Sequence, residues 1–345
     1  MRPLQYLVIY ITPVSLLFGA WLGGGWTFFP AVLMFILVPF FDIVLGRDSS
    51  APEESPSVWI YEAVLLGWLP VQLACIAAVA VVIQDATWVE VIGLTLSTGL
   101  LTGGGGITVA HELMHRTDSL RKAAAEILMT AVSYPHFCVE HVLGHHKNVA
   151  TPADPATSRL GESAYAFLPR TLFGGVRSAW RLETRRVERN PEVRAFSLSD
   201  RRLRYPVVLL AVWSALLVVG GPLTLAFFVA QGAVGVLLLE VINYVEHYGL
   251  QRQEISPGRF ERIHPHHSWN STQRLTNLWT FNLQRHADHH AYASRPYYQL
   301  RAWGNSPMLP AGYPTMILVA LVPPLWRRVM DDRVVAARKV QIPLK

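Results

Sequence analysis

The sequence predicts an all-α integral membrane protein: six transmembrane helices in three hairpins, with a cytoplasmic, His-rich cap. Three observations predict it. Apolar residues make up 51% of the 345 and charged ones 16%, against about 25% charged in an ordinary soluble protein. The apolar residues fall into runs close to the roughly 20 needed to cross a bilayer. Basic residues avoid every second connection between those runs.

From Leu4 to Gly46 two apolar runs are broken only by Gly23-Gly-Gly25, giving spans at about 4–23 and 27–46. The first is too long, and too quickly followed by another, for a cleaved signal peptide. Two more, about 58–83 and 88–110, are separated by Gln84-Asp-Ala-Thr87. A third pair, about 204–220 and 223–246, meets at Gly220-Gly-Pro222, a hairpin tip by its turn residues. Gly103-Gly-Gly-Gly106 lets neighbouring helices approach closely, and Glu240 is deep enough that it should face the bundle.

With the N-terminus inside, segments 1–3, 47–57, 111–203 and 247–345 are cytoplasmic, and all 30 Lys and Arg lie on that side. This complete positive-inside asymmetry predicts one membrane domain, 1–345, in the inner (cytoplasmic) membrane with both termini cytoplasmic. The apolar run Met308–Trp326 carries prolines at 310, 314, 323 and 324, and crossing would export Arg327, Arg328, Arg333, Arg338, Lys339 and Lys345. It is expected to be re-entrant or interfacial, as is 160–195 with Arg170, Arg177, Arg181, Arg185 and Arg186. The net charge of +6 is therefore mostly topological. That argues against nucleic acid and leaves a basic face suited to an acidic partner.

The first four spans contain no histidine, yet nine of the 13 in the chain fall in four later stretches. His111-Glu-Leu-Met-His115 and Glu140-His-Val-Leu-Gly-His-His146 each hold a pair at i and i+4. His286, His289 and His290 stand at i, i+3 and i+4, so on a helix they share one face. Asn243-Tyr-Val-Glu-His-Tyr-Gly249 adds His247. H-E-x-x-H alone matches zinc peptidases, but a protease needs one more ligand, not seven more histidines. Nine imidazoles exceed the four of a tetrahedral site, so a polynuclear centre is expected in the cap. Imidazole suits iron, copper or zinc, and only the redox metals activate oxygen. Glu112, Glu140, Glu246 and Asp288 are expected to orient imidazole N–H groups from behind. His136, His264, His266 and His267 lack the spacing and are expected to pack or support. Ser119–Tyr134 reads as an amphipathic helix, and 149–157 as a proline-punctuated loop over the site.

At these four stretches the sequence resembles the integral-membrane non-haem di-iron alkane hydroxylases (alkane 1-monooxygenases), relatives of the membrane fatty-acid desaturases. His111–Arg116 look like the family's first box, Glu140–His146 the second, Asn243–Leu250 its HYG motif and Leu283–Ala291 the third. The similarity extends through Asp154–Glu162, Pro265–Ser271 and Leu300-Arg301. One departure stands out: Met114 and Arg116 occupy positions where the alkane members usually carry Gly and Lys, and Met-His-Arg is closer to xylene-type side-chain hydroxylases.

The resemblance implies two non-haem irons held by His111, His115, His141, His145, His146, His247, His286, His289 and His290. It also implies O2 as co-substrate and terminal hydroxylation of a medium- or long-chain alkane to a primary alcohol. The alternative is an aromatic methyl-group hydroxylase with the same site; a lipid desaturase and a membrane zinc metalloprotease are further alternatives. No side chain is expected to act as nucleophile, because the metal carries the chemistry. A tunnel through the bundle would present only the last carbon of the hydrocarbon, with Met34, Phe35 and Val38 as expected lining. A rubredoxin domain needs four cysteine ligands, and this chain has only Cys75 and Cys138. Electrons are therefore expected from a separate rubredoxin or ferredoxin, with its NAD(P)H-dependent reductase, docking on the basic face.

Overall fold

The computed structural model describes residues 3–52 and 58–340. Parts of the predicted inner segments 1–3 and 47–57, and Lys345, lie outside the described residues. In chain order the main helices are α1 (Pro3–Leu22), α2 (Gly24–Leu45), α3 (Val58–Val82) and α4 (Trp88–Met114). Then come α5 (Ser119–Ala131), α6 (137–148), α7 (Ala164–Arg189) and α8 (Arg201–His247). Four short helices follow: α9 (Arg274–Trp279), α10 (His286–Ala291), α11 (Tyr313–Ala320) and the longer α12 (Pro323–Val340). Among the described residues, five of these are long and apolar enough to cross a membrane: α1 to α4 and α8.

The fifth of these is two helices joined at a reversal. Gly221 sits at φ 74° and ψ −178°, a conformation that disfavours any side chain, and Pro222 follows it. Trp213 Nε1 donates to Ser133 Oγ at 3.2 Å, while Gln231 Nε2 donates to the Ala131 carbonyl at 2.8 Å. On an unbroken helix Trp213 and Gln231 would lie roughly 27 Å apart, too far to meet three consecutive residues. The chain folds back where Gly220-Gly-Pro222 predicts a tip.

α4 is the central element, with 78% of its apolar window buried against 28–39% for α1 to α3. Thr87-Trp-Val-Glu90 starts it with a capping box, and Glu90 Oε1 also accepts from the Gly24 amide at 2.7 Å, tying α4 to the head of α2. Its glycine run is a π-helical segment, Thr102–Ile107. A Cβ on Gly103 would stand 2.8 Å from the Gly235 Cα, and one on Gly105 2.1 Å from the Trp68 indole. Gly103 thus lets α4 meet the α8 backbone, while Gly105 and Gly106 make room for the Trp68 and Gln72 side chains of α3.

Three departures from the sequence reading follow from long-range packing. Part of the expected cap 111–203 packs into the bundle. α5 buries Ala124, Ala125, Leu128 and Met129, and residues 131–133 reach in between the two arms of α8. The Met308–Trp326 run is more regular than its prolines suggest: Pro314 opens α11 and Pro323 opens α12, where a missing N–H is harmless. α11 is nevertheless only eight residues, about 12 Å, too short to cross. The all-α expectation is broken by one antiparallel ribbon, β1 (Glu254–Ser256) with β2 (Arg259–Phe260).

Candidate metal centre

The four histidine stretches converge at one end of the bundle. α4 delivers His111 in its last turn with His115 as its C-cap; α8 ends on His247. α6 brings the second box and α10 the third. All nine histidines enter two adjoining clusters, in each of which the ligand atoms lie within 4.8 Å of one another. The first holds His111, His115, His141, His146 and His289; the second holds His145, His247, His286 and His290. In the first, Nε2 atoms approach at 3.1 Å (His115–His141), 3.0 Å (His141–His146) and 3.0 Å (His146–His289). In the second, His286 Nε2 is 3.3 Å from that of His247 and 2.9 Å from that of His290.

The partition differs from the expected pairing, for a local reason. Residues His141–His145 form a π turn in which the His146 amide bonds back to the His141 carbonyl. A π turn aligns i with i+5, so His141 joins His146, and His145, its i+4 neighbour, points into the other cluster. In α10, His286 and His290 share the second cluster while His289 turns to the first. Two segments therefore straddle both clusters. The rings of His146 and His290, one from each, stack at 4.5 Å.

The donors suit a cation. Asp154 Oδ2 accepts from His145 Nδ1 at 2.9 Å, which leaves the Nε2 lone pair facing inward; that buried atom has no hydrogen-bond partner. Burial opposes a proton on His145, but Asp154 outweighs it and holds the imidazole up at about 8, so a cation bound there displaces a proton from the inward-facing Nε2. Burial first, and then repulsion between neighbouring rings, hold His141, His146, His286, His289 and His290 well below the ordinary imidazole value. Neutral imidazole is the ligating form.

Asp154 is the residue that sequence reasoning left without a role. The Ala156 amide (3.1 Å) and Thr157 Oγ1 (2.6 Å) both donate to its carboxylate. Asp154-Pro-Ala-Thr157 is thus a self-bonded turn, and such turns are legible as Asp with Thr three residues on. The four acids expected behind the imidazoles sit otherwise. Glu112 accepts from Arg116 and from the Tyr297 amide at 3.1 Å, fixing the end of α4 to a distant loop. Glu140 turns to Ser178 on α7. Asp288 accepts from Arg295, from the Arg301 amide at 2.9 Å and from Trp303 Nε1 at 2.8 Å, anchoring α10 by its flank. Glu246 lies on the metal side instead. Its Oε2 is 3.2 Å from His286 Nε2, the atom that faces His247 and His290, and its Oε1 accepts from Tyr313 at 2.5 Å. It brings an oxygen donor to the second cluster.

His136, His264, His266 and His267 stay outside both clusters. Glu240 faces inward, as its depth requires, and accepts from Tyr134, Thr171 and Asn243. Against the centre lies a narrow apolar cavity of about 40 Å³. Its lining includes Met34 and Val38 as well as Thr108 and Leu283, three residues before His111 and His286, and Tyr313, which bonds Glu246. Met34 and Val38 line it as expected. Phe35 does not; it is half-buried and packs in the core cluster around Met34 and Tyr244.

Comparison with known proteins agrees with this architecture. The fatty acid desaturase family model matches residues 86–320. The chain is 42% identical to alkane 1-monooxygenase 2 of Pseudomonas aeruginosa, over 90% of this chain and 85% of that protein. It is 37% identical to the alkane 1-monooxygenase of Acinetobacter baylyi, over 93% and 78%. The xylene/toluene monooxygenase hydroxylase component of Pseudomonas putida is more distant, at 28% over 94% and 87%. With two His clusters at the head of an apolar helical bundle and relatives matched along nearly its whole length, the chain belongs to the alkane 1-monooxygenases of the fatty acid desaturase family.

Proposed function

We propose that the protein hydroxylates the terminal carbon of medium- or long-chain alkanes, with two irons held by the nine clustered histidines and O2 as co-substrate. One oxygen atom enters a C–H bond and the other leaves as water, with two electrons and two protons supplied from outside. The observation that carries the reading is the juxtaposition of two imidazole cages with a small apolar cavity whose lining residues Thr108 and Leu283 lie three residues before His111 and His286. A hydrocarbon offers no polar handle, so only the shape of such a cavity can choose which carbon is reached. Iron, when bound, supplies the oxygen activation that neutral imidazoles cannot. Asp154 keeps His145 in the tautomer that presents Nε2, and Tyr313 holds the Glu246 carboxylate against the second cluster.

In the same reading the bundle spans the inner membrane six times, with α8 contributing two crossings around Gly221 and the histidines at the cytoplasmic rim. Electrons come from a separate rubredoxin-type donor and its reductase. The alkane reading is preferred to the aromatic one because the alkane 1-monooxygenases reach 42% identity and the xylene/toluene relative 28%.

The test is metal analysis joined to product identification. Full-length protein in nanodiscs, given a rubredoxin, its reductase and NADH, is expected to hold two irons per chain and turn octane into 1-octanol. A single zinc, an alkene product, or turnover of xylene but not octane would each replace this reading with a different one.

A further inference from the structure

A second cavity is separate from the one beside the metal centre. It is a groove of about 370 Å³ between α7, the first arm of α8 and the start of α6, within the size range of ordinary ligand sites. Val139, Val176, Ala179, Leu209, Leu210 and Trp213 make its walls apolar. Two polar groups interrupt them. His136 Nε2 is buried without a hydrogen bond, and so is Glu183 Oε2, on a side chain that is 1% exposed. The other Glu183 oxygen is occupied by Arg186 and by the Arg201 amide at 3.0 Å; Oε2 has only the Arg201 guanidinium at 3.7 Å. Buried polar atoms are nearly always paired, so an apolar groove with two unpaired ones calls for an occupant that is greasy along its length and polar at one end.

We infer that this groove binds a single-chain primary alcohol, its hydroxyl at His136 and Glu183 and its chain along α7 and α8. A hydroxyl is donor and acceptor in one atom and can serve either group. An alkane would leave both unpaired. A carboxylate or phosphate head would meet the Glu183 charge, and both lining guanidinium groups already face acids: Arg202 is bonded to Asp200, and Arg201 lies 3.7 Å from Glu183 and 3.8 Å from Glu126. The groove also adjoins the metal-bearing segment, because Phe137, next to His136, packs its ring 4.9 Å from that of His141. That the alcohol is the enzyme's own product rests on the proposed hydroxylation; that the groove takes an alcohol does not.

The test uses full-length protein in phosphatidylcholine nanodiscs, with quenching of tryptophan fluorescence by 11-bromoundecan-1-ol, 1-bromoundecane and 11-bromoundecanoic acid. Trp180 and Trp213 line the groove. The alcohol is expected to quench at a bilayer mole fraction roughly tenfold lower than the bromoalkane or the acid, the advantage of pairing a buried polar atom. The preference should vanish when Trp180 and Trp213 are both replaced by Phe, and when Ala179→Phe fills the groove. His136→Phe should abolish it and His136→Gln should retain it, with bound metal as the check that each variant has folded. Equal quenching by alcohol and alkane, a preference for the acid, or an alcohol preference that survives Ala179→Phe would overturn the inference. No turnover is needed, so failure here leaves the hydroxylase reading intact, and an inactive enzyme leaves this one intact.

Discussion

The two histidine clusters are built from the same side chain and are not equivalent. The first has five imidazoles, and among the described residues no carboxylate bonds to one of its ring nitrogens. The second has four, with Asp154 behind His145 and Glu246 beside His286. Carboxylates near a metal raise ligand basicity and favour its more oxidised, more highly charged form. In the proposed di-iron reading, the asymmetry assigns different electrostatic jobs to the two ions. It is also divided within single segments, since α6 and α10 each send histidines to both clusters.

The largest effect expected is the one that breaks the partition outright. His141→Ala and His145→Ala remove neighbours on one turn, yet each should deplete a different ion. Each is expected to lower activity by more than the roughly 100-fold seen for outer-shell changes. Mössbauer spectra of iron-loaded protein should show different components lost in the two variants; loss of the same component would mean that the π turn does not sort them. Asp154→Asn comes next. It keeps the shape but removes the charge that holds the His145 tautomer, and metal affinity should fall about 10–100-fold at the second cluster alone. A metal titration that weakens both sites equally would refute the asymmetry.

Tyr313→Phe is expected to be milder. It removes one hydrogen bond to the buried Glu246 and should reduce turnover on the order of tenfold, with metal content retained. Steady-state rates beside iron analysis distinguish this from simple metal loss. The smallest effect concerns the cavity rather than the cages. Met34→Ala should admit longer alkanes and Met34→Trp shorter ones, with iron unchanged, whereas the same changes at Phe35 should leave the chain-length profile as it is. A profile that responds at Phe35 and not at Met34 would move the hydrocarbon path to another face of α2.

Much of this was legible before any coordinates. The gathering of the nine histidines follows from four boxes at helix ends, and the reversal at Gly221 from Gly-Gly-Pro between apolar runs. The glycine run in α4 announced the close approach of α3 and α8. What spacing alone misled on was register. A 3.6-residue period pairs His141 with His145, and nothing in Glu140–His146 states that the turn will widen to align His141 with His146. Roles set by distant partners were equally hidden. Glu112 and Asp288 look like imidazole orienters from their neighbours in sequence, but Tyr297 and Trp303 claim them. Asp154 was visible only as part of a loop. Phe35 and Met34 are adjacent and equally greasy; which of them faces the cavity depends on how α2 rotates against α11.

The straddling of both cages by α6 and α10 has a consequence for how the enzyme matures. An ion captured in one cage immobilises two segments that carry three of the four, or three of the five, ligands of its neighbour, so the second capture meets a site already assembled. Substoichiometric loading should then yield a mixture of empty and fully charged molecules, with singly occupied ones scarce.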